Sequence, residues 1–224
     1  MNSAPFGSRL RVEWGRSKQQ LKWAALVSAW FGCAAAGVVA LQKYKSAPAA
    51  EEAPPVTWPV ASRLSRVPGK PTLVLVAHPR CPCTRATVQE LGVLMARAGS
   101  RVTAHVLFVK PTGVAEDWER TDLWRSAAAI PGVSVTADDG GHEAALFHAV
   151  TSGQVVLFDP AGRELFAGGI TESRGHEGDN PGLARVVSLL VSGKAELAKA
   201  PVFGCALNDP KFLAERTARN EGTP

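Results

Sequence analysis

A buried strand followed directly by two cysteines and a helix is the feature that most constrains the fold of this chain. Residues 72–77 form a continuous apolar run, and residues 83–98 repeat apolar side chains at roughly helical spacing. Cys81 and Cys83 lie at the junction, with Pro82 between them. Because a helix N-terminus stabilises an anion, a cysteine there is shifted toward the thiolate. The sequence therefore predicts a reactive sulfur at a strand-to-helix junction.

The basic charge of the chain is concentrated in its N-terminal segment. Seven of the 25 Lys and Arg residues lie within residues 1–45. Of the 20 Asp and Glu residues, this segment contains only Glu13. The rest of the chain holds 18 basic and 19 acidic residues, so the formal net charge of +5 belongs to the N-terminal segment. This distribution argues against a nucleic-acid-binding surface on the domain, and we expect no nucleic-acid partner.

Residues 23–42 are predicted to form a transmembrane anchor. Residues 23–41 are 19 consecutive uncharged residues, Gln42 is also uncharged, and Lys22 and Lys43 flank the whole segment. The basic segment 1–22 predicts a cytoplasmic N-terminus. We therefore expect a single-pass protein of the cytoplasmic (inner) membrane with its domain on the periplasmic, extracytoplasmic side. A cleavable signal peptide is the alternative, because residues 34–36 are three alanines, although the apolar run continues past them.

Composition sets the remaining boundaries. Residues 43–69 are rich in Ala, Pro and Glu, which predicts an extended tether without helix or core strand. Residues 70–199 then form one domain, and residues 200–224 form a C-terminal tail that carries Cys205. A hydrophobic content of 46% and a charged content of 20% are typical of a globular protein, so disorder throughout the chain is excluded.

Strands and helices alternate along the domain. Residues 159–162 have the composition of a turn, which predicts a hairpin between the last two strands. Alternation of this kind indicates an α/β fold with a central mixed sheet flanked by helices. The predicted strands are 72–77, 102–109, 133–137, 154–158 and 164–167, and the predicted helices are 83–98, 116–130, a helix that opens at 138–141 and runs through Val150, and 183–191.

This order of elements, with a cysteine pair and an intervening proline at the start of the first domain helix, resembles the thioredoxin fold. More narrowly, the chain is similar to a bacterial group sometimes called RedB-like, and the resemblance covers about residues 70–207. It implies a thioredoxin-like domain carried by an N-terminal transmembrane helix. The segments that carry the resemblance are His78–Arg85, Gly168–Asn180 and Val202–Leu207.

Two departures from the thioredoxin pattern concern the chemistry. Thioredoxins carry Cys-x-x-Cys, whereas one residue separates Cys81 from Cys83, and a disulfide between them would close a strained, easily reduced ring. Such a pair is suited to oxidising or isomerising a partner rather than to reducing it. Thioredoxins also carry a cis-proline before the third long strand, and residues 151–154 contain no proline. The route by which thioredoxins dock a substrate therefore lacks its usual residue here.

Thiol–disulfide exchange is the function that this pattern favours. Cys81 is predicted to be the attacking thiolate, with its pKa lowered by Arg80, Arg85 and the helix N-terminus. Cys83 or Cys205 would resolve the mixed disulfide without a cofactor, and the partners would be protein thiols or disulfides outside the cytoplasm. The alternative is a fixed disulfide through Cys205 that only attaches the tail, in which case the domain would be a non-catalytic, thioredoxin-like interaction module.

The same cysteines support a second hypothesis, a copper- or zinc-binding or metallochaperone role. Thiolates are soft ligands that select Cu(I) or Zn(II), and imidazole complements them. Cys81, Cys83 and Cys205, with either His78 or His176, would supply three or four ligands. Thioredoxin-like copper-assembly proteins use two cysteines and a distant histidine, which is an analogy of fold and ligand type.

The loop at residues 174–179 is predicted to border the thiols under either hypothesis, because the corresponding loop of thioredoxin-like folds lies beside the cysteine pair. His176 would serve as a base or a ligand, and Glu177 would orient it. Alternatively the loop is structural, with Asn180 capping the last helix. The sequence contains no dinucleotide-binding glycine motif, phosphate loop, nucleophile elbow or zinc-protease helix, so we expect neither nucleotide nor hydrolase chemistry.

Overall fold

The computed structural model describes residues 7–193 and 198–207 of the chain. It divides into two compact units, residues 1–44 and residues 45–224. The first unit is helical, and the second contains the sheet and the three cysteines of interest. Each unit is described by itself.

In the first unit the structure describes helix α1 (Gly7–Ser46). The last two residues of this helix belong to the second unit. Its segment Lys18–Ser46 is long and apolar enough to cross a membrane, and it contains the predicted anchor at residues 23–42. The helix also runs through residues 7–22, for which the sequence predicts only a basic N-terminal segment. An N-terminal apolar helix that is a candidate membrane span is therefore part of this structure.

The second unit is built on one mixed sheet. Its strands are β1 (Thr72–Ala77), β2 (Thr103–Lys110), β3 (Val133–Asp139), β4 (Gln154–Phe158), β5 (Glu164–Gly168) and β6 (Ala198–Lys199). They lie in the order β3-β2-β1-β4-β5-β6. β1, β2 and β3 are parallel, β4 is antiparallel to both β1 and β5, and β6 is parallel to β5. This is the thioredoxin-like arrangement, and the predicted α/β fold and hairpin are confirmed.

Among the residues that the structure describes, four α-helices flank the sheet: α2 (Pro82–Ala98), α3 (Asp122–Ala128), α4 (His142–Leu146) and α5 (Pro181–Ser192). Side chains of α2, α3 and α5 pack on the face that contains Leu73 and Leu75, whereas α4 packs on the face that contains Val74 and Val76. Because both faces of β1 are covered, all six of its residues are buried, and residues 73–77 are apolar without alternation. The central strand thereby leads directly to the two cysteines.

The prediction of a helix over residues 116–130 is wrong for residues 116–121. The helix begins only at Asp122, residues 116–119 form turns instead, and Thr121 is the N-cap. The hydroxyl of Thr121 donates to Pro79 O at 3.0 Å, so this turn segment is held against the residues that precede the cysteines. Contacts between segments distant in sequence thus override the apolar periodicity of this segment.

The predicted tether, residues 43–69, contains no helix beyond the end of α1, but part of it packs on the sheet. Trp58 contacts Phe147 and Phe158 edge to face, each at a ring-centroid distance of 5.2 Å. Leu64 packs into the same cluster. This segment therefore covers the second face of the sheet in addition to connecting the domain to α1.

His105 of β2 is a buried histidine whose protonation should destabilise the domain. It is 4% exposed, and its Nε2 lies 2.8 Å from Ser65 O. Burial lowers the pKa of His105 below its ordinary value of 6.5, although the hydrogen bond to Ser65 acts in the opposite direction. The unfolded chain therefore binds a proton at a higher pH than the folded chain. The free energy of unfolding should fall as the pH drops below about 6.5, by at most about 1.4 kcal/mol per pH unit from this group.

Urea unfolding of the full chain in detergent, followed between about pH 7.5 and 5.5, measures this effect. His105→Gln should show a smaller decrease in the free energy of unfolding than the wild type. His142→Gln, which alters an exposed histidine of α4, should follow the wild type. The same decrease in all three proteins would contradict the assignment to His105.

Candidate functional site

Cys81 lies where the chain passes from β1 into α2. It is the N-cap residue of α2, with extended backbone angles (φ −82°, ψ 120°), and Pro82 follows at the start of the helix. Proline is favoured there because an N–H in the first turn has no helical partner and because its φ is already helical. The Cys-Pro-Cys sequence thus places Cys81 at the N-terminus of α2 and Cys83 in its first turn.

Cys205 reaches the same place from the C-terminal tail. The sulfurs of Cys81 and Cys205 are 2.9 Å apart and joined by a hydrogen bond, and those of Cys81, Cys83 and Cys205 all lie within 4.8 Å of one another. Cys81 is buried, and the other two are half-buried. All three are free thiols, as is Cys33, which is exposed in α1. The structure therefore brings together the three cysteines of the predicted site.

The three thiols titrate as one group. Hydrogen bonds from Cys205, Cys83 and Thr84 hold the pKa of Cys81 far below its usual range, in spite of burial. The pKa of Cys205 is raised by its hydrogen bonds to Cys81 and Cys83 and by burial. A hydrogen bond from Cys205 and the charge of Arg174 lower the pKa of Cys83, but its interaction with Cys81 and its burial raise it overall. Cys81 is therefore the thiol that loses its proton first.

Backbone hydrogen bonds hold the tail against the segment that precedes β4. Ser152 N donates to Cys205 O at 2.8 Å, and Leu207 N donates to Val150 O at 2.9 Å. An antiparallel bridge lies between these two bonds. Because the bonds involve only backbone atoms, they fix the position of Cys205 without requiring particular side chains around it.

Two glycines allow the tail to approach this closely. A Cβ atom at Gly204 would collide with the carbonyl group of Ser152. A Cβ atom at Gly168, where φ is 143°, would collide with the backbone of Ala200. Glycine within an extended segment often marks a place where another backbone comes close. The sequence analysis misses this signal at both positions.

Ser152 stands in the segment where thioredoxins carry their cis-proline. Its hydroxyl oxygen accepts a hydrogen bond from His78 N at 2.8 Å and lies 2.6 Å from the hydroxyl oxygen of Thr84. These contacts join the end of β1, the first turn of α2 and the segment before β4. Sequence analysis misses both Ser152 and Thr84, because isolated hydroxyl residues form no recognisable motif.

His78 lies beside the cysteine loop but outside the three-thiol group. It is fully buried, its Nδ1 accepts a hydrogen bond from Arg80 N at 3.2 Å, and its ring meets that of Trp118 edge to face at 5.5 Å. The guanidinium group of Arg80 lies over the same indole, 4.8 Å from its centroid, and Arg85 pairs with Asp122. The two arginines expected to lower the pKa of the attacking thiol are thus engaged elsewhere, and hydrogen bonds among the thiols take that role.

The loop at residues 174–179 brings Arg174 to the thiols. Its guanidinium group donates to Gly204 O, next to the tail cysteine, and its positive charge acts on a neighbouring thiol. His176 is exposed, and its Nε2 lies 3.8 Å from a carboxylate oxygen of Glu172. The three-thiol group does not include His176. A basic or ligating role for His176 stays a prediction.

The C-terminal end of this loop has a structural role. Asn180 Oδ1 accepts a hydrogen bond from Leu183 N at 2.8 Å, which confirms the predicted cap of α5. The side-chain amide of Asn180 also donates to Glu90 at 3.5 Å. Glu177, predicted to orient the loop histidine, is exposed. The loop is therefore anchored to α2 through Glu90 while Arg174 faces the tail.

No protein-family model and no curated protein matched this chain. Solved structures match at low identity. An uncharacterised conserved protein from Geobacillus kaustophilus gives a TM-score of 0.52 at 16% identity, covering 73% of this chain and 89% of that one. A hypothetical protein from Sinorhizobium meliloti gives 0.49 at 20% identity, with coverages of 62% and 79%. A secreted Mycobacterium tuberculosis disulfide oxidoreductase homologous to E. coli DsbE gives 0.40 at 14% identity, with coverages of 56% and 83%.

The match to the Geobacillus protein agrees with the fold described above and concerns the fold alone. The domain is thioredoxin-like by its own topology, with the cysteine pair at the N-terminus of the helix that follows the central strand. The similarity to the RedB-like group stays a resemblance carried by the three segments quoted from the sequence.

Gly204→Ala should separate the tail cysteine from the other two. The new Cβ would displace the tail from Ser152, so Cys205 would no longer lie beside Cys81. With the reduced full chain in detergent under a mild oxidant, we expect the Cys81–Cys205 disulfide to form at least about tenfold more slowly, because displacements of about 1 Å reduce rates strongly. Mass spectrometry of the disulfide-linked peptides, sampled over time, measures the rate of disulfide formation.

Gly92→Ala is the matched control, because a Cβ at this position of α2 meets only ordinary van der Waals contact. It should form the disulfide at the wild-type rate. An unchanged rate in Gly204→Ala would show that the tail position does not depend on this close approach.

Proposed function

We propose that this chain is a membrane-anchored, extracytoplasmic thiol–disulfide exchange protein that acts through Cys81 and Cys205. The observation that carries the proposal is the 2.9 Å separation of these two sulfurs at the N-terminus of α2. Exchange requires one thiolate that attacks and a second thiol that resolves the mixed disulfide. The low pKa of Cys81 and the raised pKa of Cys205 suit these two roles in that order.

In the reduced state, the Cys81 thiolate attacks one sulfur of a partner disulfide. A bond forms between Cys81 and that sulfur, the partner's S–S bond breaks, and the other partner sulfur leaves as a thiolate that takes up a proton. Cys205, having lost its proton, then attacks the Cys81 sulfur and releases the remaining partner thiolate. Two electrons pass from the cysteine pair to the partner disulfide, and the reverse sequence oxidises a partner dithiol.

Cys205 is better suited than Cys83 to resolve the mixed disulfide. Only Pro82 separates Cys83 from Cys81, so a disulfide between them would close a small, strained ring. Cys205 comes from a different segment, and its backbone is fixed by the hydrogen bond from Ser152. We assign to Cys83 the role of a hydrogen-bond donor that keeps Cys81 in its thiolate form.

The proposed location is the extracytoplasmic side of the inner membrane. Helix α1 is a candidate span, and the basic residues of segment 1–22 favour a cytoplasmic N-terminus. Disulfides form and persist outside the cytoplasm, so the proposed partners are protein thiols or disulfides in that compartment. The chemistry needs no cofactor.

Replacement of Cys81 should abolish exchange, because it removes the attacking thiolate. With the reduced full chain in detergent, reduction of a mixed disulfide between glutathione and a fluorescent peptide should fall to the uncatalysed rate in Cys81→Ser. Cys205→Ser should still perform the first step and accumulate a mixed disulfide on Cys81, detectable by mass spectrometry. Cys33→Ser changes an exposed cysteine outside the site and should keep the wild-type rate.

Two outcomes would contradict this assignment. Exchange by Cys81→Ser at the wild-type rate would refute Cys81 as the nucleophile. Accumulation of the mixed disulfide in Cys83→Ser, with normal turnover in Cys205→Ser, would assign the resolving step to Cys83 instead.

The orientation is tested by fusing alkaline phosphatase, which is active only outside the cytoplasm, to the C-terminus of the full chain. The basic segment 1–22 should retain the N-terminus in the cytoplasm, so we expect an active fusion in the membrane fraction. A fusion that lacks residues 23–42 should be inactive and soluble. An inactive full-length fusion would refute the proposed orientation, and an active fusion shortened by a cleaved N-terminus would refute the anchor.

A further inference from the structure

The arrangement of the three sulfurs has the dimensions of a metal site. A cation bonded to three thiolates at about 2.3 Å in one plane places the sulfurs about 4 Å from one another. The observed sulfur separations extend from 2.9 Å, between Cys81 and Cys205, to at most 4.8 Å, and so bracket this value. Small side-chain rotations would therefore bring all three sulfurs to bonding distance of one ion.

The ligand set favours one class of cation. In the part of the chain that the structure describes, residues 7–193 and 198–207, the group contains three sulfurs and no carboxylate or imidazole. Structural Zn(II) sites are almost always four-coordinate, whereas soft thiolates also select Cu(I), which needs fewer ligands. We propose that Cys81, Cys83 and Cys205 form a three-coordinate Cu(I) site, a binding function that goes beyond thiol–disulfide exchange.

The surroundings of the sulfurs fit such a complex. Cu(I) with three thiolates carries a net charge of −2. The positive charge of Arg174 acts on Cys83, and its guanidinium group also donates to Gly204 O beside Cys205. The backbone hydrogen bond from Ser152 fixes the third ligand. Burial of Cys81 limits access of water and oxidants to the metal. The site thus combines soft ligands, compensating charge and a fixed geometry.

Copper binding and disulfide formation use the same sulfurs and exclude one another. Binding of Cu(I) forms three copper–sulfur bonds to the Cys81 thiolate and to Cys83 and Cys205, which each release a proton, and the copper remains Cu(I) because no electron is transferred. A Cys81–Cys205 disulfide removes two of the three ligands. The oxidised chain should therefore not hold the ion.

The test uses the reduced full chain in detergent, under anaerobic conditions, with Cu(I) supplied as its coloured complex with bicinchoninate. Loss of colour measures transfer of copper to the protein. We expect one Cu(I) per chain and a loss of affinity of at least about 100-fold in each of Cys81→Ser, Cys83→Ser and Cys205→Ser, since even outer-shell changes cost 10–100-fold. Cys33→Ser should bind as the wild type does. X-ray absorption should show three sulfur neighbours.

Each contrary result overturns the proposal. Full affinity in any one of the three site variants, with far-ultraviolet circular dichroism like that of the wild type, would show that this sulfur is not a ligand. Loss of affinity in His176→Ala, or a nitrogen neighbour in the absorption spectrum, would replace the three-sulfur site by a mixed one. Preferential retention of Zn(II) over Cu(I) in a direct competition would refute the choice of metal.

Cys83→Ser separates this proposal from the proposed exchange function. It removes a copper ligand but leaves both the attacking Cys81 and the resolving Cys205. Exchange in Cys83→Ser should be slower, because Cys83 is proposed to keep Cys81 in its thiolate form, but it should still end in the Cys81–Cys205 disulfide. Loss of copper binding together with this slower exchange would support both proposals. If the wild type fails to exchange but binds one Cu(I), and the three cysteine variants lose affinity as expected, only the exchange function would be refuted.

Discussion

The backbone pairing between the segment before β4 and the tail at Cys205–Leu207 is the interaction on which the site depends. It places the Cys205 sulfur beside that of Cys81, although 124 positions separate these residues in the sequence. Without this pairing, the chain would present two cysteines in the first turn of a helix. With it, a third sulfur completes a compact group in which the pKa of Cys81 is lowered and the pKa values of Cys83 and Cys205 are raised by their mutual contacts. The chemistry of the domain therefore depends on the tail as much as on the helix.

The two proposals assign the three sulfurs to mutually exclusive states of the same site. A disulfide between Cys81 and Cys205 would bond two of the three sulfurs to each other, whereas a soft cation would coordinate all three. Both states require the same close approach of the tail, so geometry alone is compatible with either. The redox condition of the compartment determines which state the group can adopt, because only reduced sulfurs are ligands.

Much of the fold could be predicted because its signals are local. The apolar run of β1, Pro82 at the start of α2 and the cap at Asn180 each depend on neighbouring residues, and the structure has all three. The same reasoning failed for residues 116–121, where a contact with Pro79 replaces the helix that periodicity predicts. Packing of Trp58 on the sheet was missed for the same reason, since nothing adjacent in the sequence indicates it. The cysteines of the site could be named from residue type and Arg174 from its place in the loop, but Ser152 and Thr84 required the three-dimensional structure.

The distance in sequence between Cys81 and Cys205 also governs when the site can exist during folding. Contacts between residues far apart along a chain must overcome the entropy of closing a long loop, and they form after local structure. The helix that carries Cys81 and Cys83 can form early, whereas the tail can dock only after β4 and its preceding segment are in position. A nascent chain therefore carries separated thiols, and the three-thiol group forms only when Cys205–Leu207 has paired with the segment before β4.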